Sequence, residues 1–139
     1  MIRMLISDGR FNIEKRRLKS LVSKILESEA ADKRSVNIVY CTDKLIENLN
    51  RRFLRKRGTT DVLAFELADT DNEGFLGEIY VNLQQARRQA EENKINYKEE
   101  VGRLTIHGVL HLLGYDDLKD ANRRMMWNRQ ESYLEEWIK

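Results

Sequence analysis

Apolar residues recur along this chain with two periods, and the switches between them mark out the elements. Residues 2–7, IRMLIS, form a short apolar-rich run that predicts a strand. From 13 to 28, Ile13, Leu18, Leu21, Val22, Ile25 and Leu26 fall at helical spacing with charges between them, and Asn12 is placed to cap that helix. Residues 35–41, SVNIVYC, alternate Val36, Ile38 and Tyr40 with smaller neighbours, which is the period of a strand. Leu45, Ile46, Leu49 and Phe53 predict a short helix over 43–53, capped by Thr42 or Asp43. Strands follow at 60–67, TDVLAFEL, and 75–81, FLGEIYV, and the polar run Asp69 to Gly74 between them predicts an antiparallel hairpin with a long loop. Three helices complete the chain over 83–92, 98–113 and 119–138, the second stopped by Gly114. Met125, Met126 and Trp127 are expected in the core, with one Met a candidate to lie beneath a bound metal.

The order β-α-β-α-β-β-α-α-α predicts an α+β fold, with helices packed over one mostly four-stranded sheet. A length of 139 residues suits one core, and no linker, repeat or low-complexity segment divides it, so residues 1–139 read as a single domain. Charged residues make up 35% and hydrophobic ones 41%, the balance of a soluble domain with a heavily charged surface. The net charge of +2 permits a nucleic-acid partner without requiring one. The single cysteine, Cys41, excludes an internal disulfide and reads as a small half-buried apolar residue at a strand end. No apolar run reaches the roughly 18 residues of a membrane span. The N-terminus lacks the features of a signal peptide, so the expected location is the cytoplasm.

Candidate chemistry concentrates in HGVLHLLGYDD, residues 107–117, which holds both histidines of the chain. His107 and His111, four apart on a predicted helix, project from one face and can share a metal ion. Gly114 allows a sharp turn that brings Asp116 and Asp117 back toward them, and a carboxylate there completes a three-ligand site with an open position. The spacing gives Asp117 the third-ligand slot of the metzincin metal helix, while Asp116, Asp117 or Asp120 can equally serve as turn or cap residues. A zinc protease needs glutamate after the first histidine as its base; Gly108 stands there and cannot move a proton.

The same stretch resembles the signature of the YbeY family of bacterial endoribonucleases, H-G-x-L-H-L-x-G-Y-D-H, at every fixed position but the last. Thr60-Asp61-Val62-Leu63-Ala64-Phe65 resembles the family's T-D-V-L-S-F strand and Gly77-Glu78-Ile79 its G-D/E-I strand, so the likeness spans most of 36–117. The resemblance implies a mixed four-stranded sheet, a zinc-type site of three ligands, and a single-strand-specific RNase tied to ribosomal RNA maturation and ribosome quality control. Two positions depart from the pattern. Asp117 replaces the third histidine, a harder ligand that bears on the choice among Zn²⁺, Ni²⁺, Fe²⁺ and Mn²⁺. The arginine expected directly after an aromatic is absent, since Leu54 follows Phe53 and Arg55 comes one later.

The expected ligands are therefore His107, His111 and Asp117, holding one Zn²⁺ that lowers the pKa of bound water toward ~7 or polarises a phosphate oxygen for attack by the substrate's 2′-hydroxyl. Arg55 is the candidate to stabilise transition-state charge. Arg52, Arg57 and Glu78 are candidates for substrate contact, with strand 75–81 bordering the cleft, and Asp61 is expected to fix loop geometry. The expected partners are single-stranded RNA and the small ribosomal subunit, with maturation of the 16S rRNA 3′ end as the task. The alternatives are a metallopeptidase-like hydrolase with its base elsewhere, and a non-enzymatic ribosome-associated protein with a structural metal.

Overall fold

The computed structural model describes residues 1–67 and 74–139. Most of the predicted hairpin turn at 69–74 lies outside the described residues. Four strands, β1 (Ile2–Ile6), β2 (Ser35–Cys41), β3 (Val62–Glu66) and β4 (Phe75–Asn82), form one sheet in the order β1-β2-β4-β3. β1 and β2 pair in parallel, as do β2 and β4, whereas β3 runs antiparallel to β4 at the edge. The sheet is mixed, and the fold is α+β as the pattern predicts.

Helices α1 (Lys15–Ser28), α2 (Asp43–Leu49), α3 (Leu83–Asn93), α4 (Tyr97–Leu112) and α5 (Asp120–Ile138) account for the helical spacing. The core forms where α1 and α4 meet the sheet, with α5 packed against α4: Leu18, Val22 and Ile25 of α1, Ile38 and Tyr40 of β2, Ile79 and Val81 of β4, and Ile106 and Leu110 of α4 are all buried. α4 is buried along almost its whole length, so it lies at the centre of the helical layer rather than on its surface. It comes close to its neighbours through two glycines. A Cβ on Gly108 would stand 2.5 Å from Cγ2 of Ile79, and one on Gly102 would stand 2.3 Å from the Trp137 ring.

Five local expectations need correction. Asn12 does not cap α1: the cap position is Glu14, because Phe11 and Ile13 pack against the core before the helix begins. Thr42 precedes α2, but its side chain makes no capping bond; the Asp43 amide donates instead to Oε1 of Gln84. The helix predicted over 43–53 is α-helical only to Leu49 and continues as a π-helical turn, Asn50–Leu54, which Arg55 ends in a left-handed conformation. Met125 and Trp127 are exposed on α5, because Met126, Gln130, Tyr133 and Leu134 form its buried stripe and the residues on either side of Met126 turn outward. Cys41 is buried more completely than expected, and burial pushes its thiol up to about 12, so it is inert as a nucleophile.

Candidate active site

Between α4, the edge of β3 and the segment after the π-helical turn lies a cleft of about 530 Å³. His107 and His111 open into it from α4, as their spacing predicts, and Asp117 lines the same space. Opposite stand Lys56 and Arg57, with Asn50, Leu54, Thr59 and Thr60 beside them.

His107 is held from behind. Its Nδ1 lies 2.9 Å from Oε1 of Gln130, whose Nε2 donates to Glu131 at 3.1 Å. That orientation makes the Gln130 oxygen the acceptor, so the ring proton sits on Nδ1 and the lone pair on Nε2. The chain of contacts runs on: Arg103 donates to both oxygens of Glu131, each at 3.0 Å, and to buried Glu100 at 2.7 Å, which also accepts from Gln89. Each buried polar group here has a partner, so the network fixes the ring. A second recess of about 480 Å³ lies on the other side of His107, walled by Asp61, Gln89, Asn93, Arg103, Trp127 and Gln130.

The turn after α4 separates the three aspartates. Gly114 has φ of 103°, a conformation that suits glycine, and the chain reverses there. Asp116 accepts from the Leu118 amide at 3.1 Å and from Asn122 at 3.2 Å, so it builds the turn. Asp120 starts α5 and faces Arg123. Asp117 is exposed at the cleft. Among the described residues no three of His, Cys, Asp and Glu are gathered closely enough to hold a metal ion. The donor types fit a divalent cation, but the Asp117 carboxylate is not drawn in with the two rings.

Tyr115 anchors this turn to the far end of α1. Its hydroxyl donates to Glu29 at 2.6 Å, and Tyr133 donates to the other carboxylate oxygen at 2.5 Å. Burial raises the Glu29 pKa, but these two bonds and the Arg129 charge together hold it below its ordinary 4.5. A carboxylate with a lowered folded pKa stabilises the protein above its unfolded value and ceases to do so as pH falls through the folded one. Wild type should therefore lose stability more steeply below about pH 4.5 than Glu29→Gln does. Urea unfolding across that range tests this, and parallel losses in both proteins would contradict it.

The cationic wall is tied down by Asn82, which is fully buried at the end of β4. Its side-chain oxygen caps α3 by accepting from the amides of Gln84 and Gln85. Its Nδ2 reaches Asp43, Thr59 and the Thr60 carbonyl at 2.7, 2.8 and 3.1 Å. Asn50, buried in the π-helical turn, donates to the Gly58 carbonyl from the other side. The two asparagines together brace the end of the loop at Gly58, Thr59 and Thr60.

Several candidates lie elsewhere than expected. Arg55 is not on the cleft wall: the left-handed turn that ends the π-helix gives that place to Lys56 and Arg57. Arg52 is also off the wall, with its guanidinium 5.5 Å from the centroid of the Phe53 ring. Glu78 faces away from α4, because its neighbour Ile79 is the residue that meets Gly108, and successive strand residues alternate faces. The strand bordering the cleft is β3, not β4. The Asp61 main-chain carbonyl accepts from the Asn82 amide at 2.8 Å, and the residue also lines the second recess beside His107. Sequence reasoning missed Gln130, whose signal was a polar residue four places from Met126 on the apolar stripe of α5.

The model of the family described as endoribonuclease YbeY matches residues 4–138. The chain belongs to the YbeY family of endoribonucleases. Its YbeY relative in Persephonella marina is 36% identical, over 97% of this chain and 92% of that protein. A relative in Chlorobium limicola is 37% identical, over 84% of this chain and 80% of its own length. A Thermotoga maritima protein solved in solution shares the fold with a TM-score of 0.72 and 32% identity, over 99% of this chain and 89% of that one. YbeY proteins of this name cut phosphodiester bonds within RNA, so this chain is an endoribonuclease and RNA is its substrate class. No helix among the described residues is long and apolar enough to cross a membrane.

Proposed function

We propose that this YbeY protein cuts single-stranded ribosomal RNA, including the 3′ end of 16S rRNA, with one divalent cation held by His107, His111 and Asp117. The supporting observation is the cleft itself: two imidazoles on one turn of α4 face a wall carrying Lys56 and Arg57. Its size is that of a small-ligand pocket, with room for an extended nucleotide but not for a duplex. Zn²⁺ is the first choice of ion, with Ni²⁺, Fe²⁺ and Mn²⁺ as alternatives suited to two imidazoles and a carboxylate. In this reading residues 1–139 act as one catalytic unit in the cytoplasm, with the small ribosomal subunit as the assembly that presents the RNA.

The bound cation would supply Lewis acidity toward water and a phosphate oxygen. The remaining work belongs to the chain. Gln130 keeps the Nε2 lone pair of His107 directed outward by holding the proton on Nδ1. Lys56 and Arg57 bind the phosphate and stabilise the charge that grows on it during cleavage. The Asn82 and Asn50 bonds brace the backbone of the loop that carries those cations. Asp117, which lines the same cleft, would complete the ligand set.

The purified protein should cut a single-stranded ribosomal RNA fragment internally, leave the same sequence intact as a duplex, lose activity in chelator and regain it with Zn²⁺. Cleavage that survives chelation, or equal cutting of the duplex, would contradict the proposal.

A further inference from the structure

The described helices cover only one face of the sheet. Ile79 marks the covered face, so Tyr80 and, by register, Phe65 and Leu63 of β3 lie on the other. Leu5 on this open face is 64% exposed. Across it runs a row of rings. Phe65 meets Tyr80 at 5.9 Å between centroids with planes at 78°, and meets Phe53 at 6.1 Å with planes at 66°. An edge-to-face contact engages one face of one ring in each pair and leaves the other faces unpaired. Phe53, at the end of the row, is 61% exposed and carries the Arg52 guanidinium 5.5 Å from its centroid.

We propose that this aromatic row is a second RNA-binding surface, on which bases flanking the cut site stack; the inference rests on the single-stranded RNA reading above. Three observations favour RNA as the occupant. The row is continuous with the cleft, because the π-helical turn that carries Phe53 also sends Asn50 and Leu54 into the cleft wall, and β3 borders both. A strand leaving the cleft over the edge of β3 therefore meets Phe53 first. The charge is suited to a polyanion, with Arg52 beside Phe53 and exposed Arg3 on the same face of β1. The one carboxylate of β4 on this face, Glu78, accepts from the Tyr80 hydroxyl, and it can also accept from base amino groups. Phe53 is exposed and Phe65 and Tyr80 are half-buried, and rings on a sheet, edged by arginine, hold unpaired bases by stacking with little regard to sequence.

The surface is tested by anisotropy with a fluorescent 2′-O-methyl decanucleotide and the same strand carrying three abasic positions. Wild type should bind the abasic strand roughly tenfold more weakly, the loss of about one stacked base. Phe53→Ala, at a site exposed enough not to endanger folding, should bind the intact strand roughly tenfold more weakly than wild type and lose little more on abasic substitution. Phe53→Trp should restore binding. Equal affinity of wild type for the two strands, or of Phe53→Ala and wild type for the intact one, would overturn the inference. So would a wild-type dimer that Phe53→Ala dissociates, since a second copy would then be the occupant. Cleavage of unmodified RNA by the same wild-type sample separates the outcomes: cutting without base dependence sinks only the stacking surface, and no cutting sinks the single-stranded RNA reading itself.

Discussion

Gly108→Glu, which restores the residue a zinc protease would carry, should leave the protein largely unfolded rather than make it a peptidase. A Cβ at this position points at Ile79 of β4, 2.5 Å from its Cγ2, and Ile79 is fully buried. Even Gly108→Ala must displace that side chain or push α4 from the sheet. Overpacking of this kind costs about 1–3 kcal/mol. It outweighs the roughly 1 kcal/mol that alanine gains over glycine inside a helix. Glutamate adds more bulk and a polar group at the same contact with Ile79, a further cost of about 1–3 kcal/mol. Against the roughly 5–15 kcal/mol that holds a domain together, the sum is large. Urea unfolding of Gly108→Ala is the practical measurement, since that variant should fold. A lower midpoint is expected; a midpoint raised by the helix-propensity gain would show that α4 and β4 are not in close contact there.

His111→Ala should lower kcat/KM on single-stranded RNA by about 10³-fold, with little change in stability. The magnitude follows from removing a ligand that holds several kcal/mol of transition-state charge stabilisation. The stability statement follows from its position, because His111 is only partly buried at the cleft while the core residues of α4 point elsewhere. Thermal unfolding in chelator compares the two proteins without any contribution from bound metal. A large fall in activity with an unchanged chelated melting temperature is expected. A variant that unfolds with its activity would mean that the histidine is structural.

The helices and strands were legible because each buries one stripe or one face, and period alone identifies that. The histidine pair and the turn at Gly114 were legible for the same reason: they depend on local spacing. What could not be read were features set by contacts between distant segments. Gly108 was legible as part of the family signature, but the close contact with Ile79 that requires glycine there was not. The rank of the cations along 51–57 depended on a π-helical turn, whose extra residue per turn shifts every later side chain and puts Lys56 and Arg57 where Arg55 was expected. Glu78 sat in a recognisable block, but which face it took was fixed by the partner of Ile79. Gln130 and Asn82 left faint marks, a polar residue on an apolar stripe and an asparagine before a helix. Their partners lie 23 residues away in each case, at His107 and at Thr59.

The central claim is that His107, His111 and Asp117 hold one functional divalent cation. Its most direct test is the metal content of the purified protein, measured by elemental analysis after dialysis against Zn²⁺ and removal of free ion, beside His111→Ala. The account predicts close to one ion per chain in wild type and almost none in the variant. Wild type that retains no metal, or the variant retaining as much as wild type, would contradict it.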